Sequence, residues 1–132
     1  MRTWKRRDVV GLPVAATLAG MGLKARAQDA AAAYPSKIAR IVVPYVAGGG
    51  TDVTARLVAQ KLSDRWGRQV LVENRPGGNT NIASQAVARA EPDGHTLLLV
   101  NPTFTINPLL STNLPFDVAK DFVPVATVAA GP

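Results

Sequence analysis

The sequence predicts an α/β fold built on a parallel sheet, and three observations carry that prediction. Short β-branched or leucine-rich runs (Ile41-Val42-Val43, Gln69–Glu73, Thr96–Val100) alternate with stretches whose apolar residues repeat at helical spacing. Such alternation builds βαβ units, whose strands run parallel. A polar loop rich in Gly, Asn or Thr follows each run. The 132 residues suit one domain of ordinary size.

Residues 1–27 have the make-up of an export signal. Arg2 to Arg7 form a positive region, Val9 to Leu23 an apolar one, and Ala25-Arg26-Ala27 a small-residue cleavage site, so the cut is expected after Ala27. The apolar region is interrupted by Gly11, Pro13, Gly20 and Gly22 and falls short of the roughly 20 residues that span a bilayer. Lys5-Arg6-Arg7 is similar to a twin-arginine signal but lacks the full motif, so both export routes stay open. Either one puts the mature chain outside the cytoplasm.

Residues 28–37, Ala-rich with Tyr34-Pro35, read as a mobile lead-in. Strand one comes next, then Ala47-Gly48-Gly49-Gly50, with Thr51 or Asp52 as the expected N-cap of helix one. That helix is expected from about Asp52 to Trp66. Val53/Leu57 and Val58/Leu62/Trp66 would lie on its buried stripe, and Arg56, Lys61 and Arg65 would be solvated. Gly67 is the expected C-cap. Strand two, Gln69–Glu73, leads into a second loop through Gly77, Gly78, Asn79, Thr80 and Asn81. Helix two, Ile82 to Ala90, would share one face among Ile82/Ala86 and Ala83/Val87/Ala90. Strand three, Thr96–Val100, reads as buried on both faces. A third loop begins at Asn101-Pro102-Thr103 and passes into a helical piece, Phe104–Leu110. Asp117 is a turn cap, and Phe122–Ala129 reads as a fourth strand.

Charge excludes one class of partner. The formal net charge is +6, but residues 28–132 hold nine basic and eight acidic residues, so the excess belongs to the leader. No basic stripe with interleaved aromatics remains for nucleic acid. No cysteine is present, which excludes disulfides and thiolate metal sites. His95, the single histidine, reads as a solvated turn residue without a metal role. A G-x-S-x-G elbow and a Ser-His-Asp set are both missing, so no catalytic residue is expected. Glu73 reads as a structural anchor beside Arg75.

Parallel sheets gather ligands outside the carboxyl ends of their strands, where all three loops would lie. The first loop admits more than one chemistry. A P-loop fails, because no lysine follows the glycines. Gly48-x-Gly50, with Glu73 at the end of the next strand, leaves open a dinucleotide-binding half-domain of an exported enzyme, although Val53 takes the third glycine position. A non-catalytic carboxylate site fits the residues better. Glycine N–H groups and a helix N-terminus suit an anion, and Thr51, Asn79, Thr80, Asn81, Asn101 and Thr103 offer neutral donors. Each of these residues, taken singly, is equally a turn former or a cap.

Several segments, in order, carry a family resemblance: Tyr34-Pro35, the run 38–45, AGGGTD at 47–52, ENRPG at 73–77, PDGHTLL at 92–98 and LPFDVAKDFVPV at 114–125. Together they cover nearly all of residues 34–129. The chain resembles the substrate-binding receptors of tripartite tricarboxylate transporters, the Bug family. The resemblance implies a type II periplasmic binding fold whose two lobes close on a small carboxylate. It also implies a periplasmic location, a membrane permease as partner, no cofactor and no enzymatic activity. The family's first-loop contacts fall on Ala47, Gly48, Gly49, Gly50 and Asp52, and its second-loop contacts on Gly77 to Asn81. Two departures stand out. Gly78-Asn79-Thr80 and Ala83 replace a more glycine-rich pattern, and such receptors are more than twice as long as the mature region. Residues 38–132 are therefore expected to be part of a first lobe, with the second lobe absent.

Overall fold

The computed structural model describes residues 34–111 and 113–130. The export signal and its cleavage site lie outside the described residues, as does most of the lead-in. The elements run β1 (Ala39–Val43), α1 (Gly50–Trp66), β2 (Val70–Asn74), a 3-10 turn (Gly78–Thr80), α2 (Asn81–Ala88), β3 (Thr96–Leu98) and α3 (Thr103–Leu110). The sheet order is β2-β1-β3, all parallel. The expected α/β class is the observed one.

Order and register explain where each helix goes. Ile41 stands opposite Val72 on one side and Leu97 on the other. The chain steps from β1 outward to β2, then back across β1 to β3. Crossovers between parallel strands are right-handed, so the two opposite steps put α1 and α2 on opposite faces. Ala39, Ile41 and Val43 share the α1 face and form the main core with Ala55, Ala59 and Val70. The alternating residue Val42 is also buried, so β1 is covered on both sides, as a central strand must be.

Packing selects a different face of α1 from the expected one. Asp52, Ala55 and Ala59 are buried, with Val58, Leu62 and Trp66 packed alongside, while Val53 is 51% exposed and Leu57 59%. The small alanines let the helix approach the sheet closely. Periodicity placed Val58, Leu62 and Trp66 correctly. It misplaced Val53 and Leu57 because alanine carries little weight in a hydrophobic pattern. On α2, Ala83 and Ser84 are buried and Ile82 is exposed, so the expected shared face is only partly realised.

Both ends of α1 have local causes. Gly67 takes the left-handed conformation (φ 63°) and donates its N–H to the Ser63 carbonyl at 2.9 Å, which closes the helix as expected. Ser63 Oγ in turn accepts the Val70 N–H at 2.9 Å, tying the helix end to the start of β2. The N-cap is Gly49, with no side-chain bond, instead of Thr51 or Asp52. The helix starts earlier because Asp52, at its third position, reaches back to the Gly48 N–H at 2.8 Å. This is the returning half of a capping box, displaced by one residue.

Three further expectations change. β3 is half-buried along its length rather than buried on both faces, because it is an edge of the described sheet. Residues 122–130 form no strand: among the described residues nothing pairs with them, and a strand exists only through its neighbours' hydrogen bonds. His95 is buried, not solvated. Its Nε2 accepts the Ser36 N–H at 3.2 Å and its Nδ1 lies 3.1 Å from the Asp93 carbonyl, which together assign the Nδ1–H tautomer. The histidine thus fastens the segment before β1 to the start of β3. Asp117 does cap its turn, accepting the Ala119 N–H at 2.9 Å. Phe104, Phe116 and Phe122 form a small second cluster, with ring centroids 5.1–6.2 Å apart, that attaches residues 116–122 to α3.

Candidate functional site

The loops after β1, β2 and β3 all leave the carboxyl edge of the sheet, as parallel strands require, and side chains fasten them to one another. Asn74, the last residue of β2, donates from Nδ2 to the Tyr45 carbonyl (3.1 Å) and to Asp52 Oδ1 (3.0 Å). Its own oxygen accepts Arg56 Nη2 at 3.2 Å. Tyr45 donates its hydroxyl to Asn101 Oδ1, joining the first loop to the third. That same oxygen accepts the Thr103 N–H at 3.0 Å and so shapes the entry to α3. The second loop joins through α3: Asn79 and Thr80 both bond to Asn107.

Asp52 is the centre of the first loop. Its side chain is buried, and it accepts from the Gly48 N–H, Asn74 and Arg56 Nε, the last at 3.0 Å. The Arg56 guanidinium first, then the Gly48 N–H and the Asn74 amide, lower its pKa from 3.8 to about 2. The carboxylate is therefore ionised and internally satisfied, and it acts on the loop that surrounds it. Arg56 is exposed, as expected, yet it is also part of this tie. A side chain built at Gly48 or Gly50 would meet nothing within 4 Å. With no side-chain cap on α1, the first-turn N–H groups at Gly50, Thr51 and Asp52 have no intrahelical acceptor.

The second loop is conformationally unusual. Gly77, Gly78, Asn79 and Thr80 take φ of 119°, 57°, 51° and 74° in succession. Asparagine tolerates that region; a β-branched threonine does not. Holding such a residue costs of the order of 1–3 kcal/mol. Hydrogen bonds contribute about 0.5–1.5 kcal/mol each, so the three around Asn107 are large enough to offset the strain. Asn81 Oδ1 is buried without a hydrogen-bond partner among the described residues.

The predicted residues thus lie on one edge with graded access. Ala47, Gly48, Gly50, Gly77, Gly78, Asn79 and Asn101 are exposed; Gly49, Thr51, Asn81 and Thr103 are half-buried; Asp52 and Thr80 are buried. Sequence reasoning missed Asn74, Tyr45, Arg56 and Asn107. Asn74 and Arg56 had a local signal: Asn74 opens a predicted loop, and Arg56 stands four residues after Asp52 on one helix face. Asn107 had none, lying 28 residues from Asn79 inside a helix. Glu73 is paired with Arg75 Nε at 2.6 Å, the anchoring role expected of it. A shallow open depression of about 260 Å³ lies at the opposite edge, where Lys37 bridges Glu91 (3.0 Å) and Asp93 (2.7 Å). None of the three loops lines it. Among the described residues no group of His, Asp and Glu could hold a metal ion, and no helix is long and apolar enough to cross a membrane.

Comparison with known proteins gives this edge a context. A UPF0065 protein of Bordetella bronchiseptica is 48% identical over 100 residues, which are 75% of this chain and 30% of that one. BugT of Bordetella pertussis is 38% identical over 101 residues, 75% of this chain and 31% of that one. The chain spans about 30% of the length of these curated relatives. A solved periplasmic transporter superposes with a TM-score of 0.61 at 43% identity, over 64% of this chain and 29% of that one. Rpa4515 of R. palustris, solved with adipate, gives a TM-score of 0.51 at 39% identity, over 52% and 23%. The observed α/β sheet is thus the parallel-sheet portion of a periplasmic binding fold. The sequence pattern of the tripartite tricarboxylate transporter family receptors matches residues 54–132. Because that pattern runs through more than half of the chain, the chain belongs to the tripartite tricarboxylate transporter receptor family.

Proposed function

We propose that this chain supplies one wall of a periplasmic receptor site for a small carboxylate, which the receptor delivers to a membrane permease. The observation that carries the reading is the fastening of three polar loops to one another at the carboxyl edge, through Asn74, Tyr45 and Asn101. Backbone N–H groups of Gly49 to Asp52 and of Gly77 to Thr80 are the ligand contacts, with Thr51, Asn79, Asn101 and Thr103 as neutral donors. The adipate in Rpa4515 supports the ligand class. The role is binding without chemistry, and it needs no cofactor. The dinucleotide alternative loses ground twice: the family is one of transport receptors, and Glu73, the acid it needs, is paired with Arg75.

One wall binds weakly. A helix N-terminus contributes about 0.3–1 kcal/mol to an anion, and exposed hydrogen bonds compete with water. Even 1 mM affinity requires about 4 kcal/mol, after translational and rotational losses. Isothermal titration of the chain with adipate should therefore show no saturable micromolar heat. Amide NMR with tens of millimolar adipate should instead move residues 48–51 and 78–81 and leave 91–96 in place. Shifts confined to 91–96, or a response to NAD alone, would refute the site. Residues 1–27 are proposed as the export signal, and N-terminal sequencing of periplasmic material should begin at Gln28. A start within the leader would contradict cleavage after Ala27.

A further inference from the structure

We propose that Asn107 is a positioning residue: it holds the Asn79–Thr80 peptide in the left-handed conformation in which the second loop meets its ligand. The proposal rests on the carboxylate reading for its last clause and on geometry for the rest. Asn107 is 2% exposed, on the buried face of α3 beside Phe104. Asparagine is a poor choice for a helix interior, because its amide competes for backbone hydrogen bonds. A buried amide needs partners, and the side-chain amide of Asn107 finds them in the second loop. Its Nδ2 donates to the Asn79 carbonyl at 2.5 Å and to Thr80 Oγ1 at 2.9 Å, and its Oδ1 accepts from Asn79 Nδ2 at 2.6 Å.

The contact to the Asn79 carbonyl is the decisive one. A peptide unit is planar, so pinning that oxygen fixes ψ of Asn79 and φ of Thr80 together. It also fixes the direction of the Thr80 N–H, which lies in the same plane and points the opposite way. The same two residues carry the non-glycine positive φ values among the described residues, 51° and 74°. A glycine-rich loop takes such angles without help. Here an asparagine and a threonine occupy the positions, and the amide of Asn107 supplies the constraint. A residue that only filled space beside Phe104 would be replaceable by leucine.

The test uses amide and carbon NMR on the full chain, comparing wild type with Asn107→Leu and Asn107→Asp. Leucine keeps an apolar filling of the helix face. Aspartate keeps the size and the Oδ1 acceptor but removes both amide donors. Wild-type Asn79 and Thr80 should show the three-bond couplings and carbon shifts of positive φ. Both variants should lose that signature, while the Val42 and Val72 amides stay in place. The adipate-induced shift at Thr80 and Asn81 should fall at least threefold, with the shift at Gly49 to Thr51 retained. If Asn107→Leu fails to fold, Asn107→Asp alone decides. Retention of the left-handed signature in the folded variants overturns the proposal, and so does an unchanged adipate response at Thr80 after the signature is lost. A wild type that shows no adipate response in either loop overturns the carboxylate reading, and the couplings still decide whether Asn107 holds the peptide.

Discussion

Asp52 combines burial, a full set of donors and a charge, which makes its titration a readout of the first loop. Its folded pKa, about 2, lies below the unfolded value of 3.8, chiefly through Arg56. A group depressed in this way contributes stability that is fully present above its unfolded pKa and lost as pH falls through the folded one. Asp93, held well below the usual range by Lys37 and the His95 N–H, and Asp117, lowered mainly by Lys120, act in the same direction. The urea midpoint should therefore drop as pH falls from about 4 to about 2. Asp52→Asn should lower the midpoint at neutral pH and reduce, without abolishing, the acid drop. An acid drop of undiminished size in the variant would mean that the Asp52 carboxylate is not held by Arg56 and Gly48 in solution.

Among the elements, α1 shows how close packing overrides a hydrophobic pattern. Ala55 and Ala59 lie against β1 and β2 because a methyl group is what the short helix–sheet distance admits. Interiors pack at crystal-like density, and inserting methylenes into them costs about 1–3 kcal/mol. Ala55→Leu should therefore destabilise by about that much in urea. Leu57→Lys, on the exposed face, should stay within about 0.5 kcal/mol. The pair discriminates sharply: a helix packed on the Val53/Leu57 stripe would invert the two results. The second loop makes the same point at a shorter range, since helix α2 begins only where Asn81 returns to a right-handed conformation after four positive φ values.

For the whole molecule, the exposed surface predicts association. β2 and β3 are the edges of the described sheet, and open edges pair with other chains. Val46, Val53 and Leu57 are exposed near the first loop, and Leu109 (84%), Leu110, Val123 and Val125 are exposed along α3 and beyond it. Exposed apolar surface, where it gathers, favours association. Sedimentation of the chain should show a weight-average mass that rises with concentration. A clean monomer at every concentration, melting in one sharp transition, would show that these surfaces are tolerated in water.

The sequence alone determined what short-range physics controls. The Ile41-Val42-Val43 run made a strand, Gly67 ended a helix, Asp117 capped a turn, and strand–helix alternation required parallel strands with their polar loops on one edge. Each follows from a few neighbouring residues, whose conformational preferences act before any long-range contact forms. The tertiary structure decided which groups meet across the chain. Ala55 and Ala59 were chosen over Val53 and Leu57 by the distance to the sheet. His95 is buried and accepts the N–H of Ser36 from 59 residues away. Residues 122–130 stayed irregular because no neighbour among the described residues offers a ladder. Asn107 meets Asn79 and Thr80 through the packing of α3 beside the second loop. Burial and hydrogen bonding between distant segments are properties of the folded chain, and no local spacing encodes them.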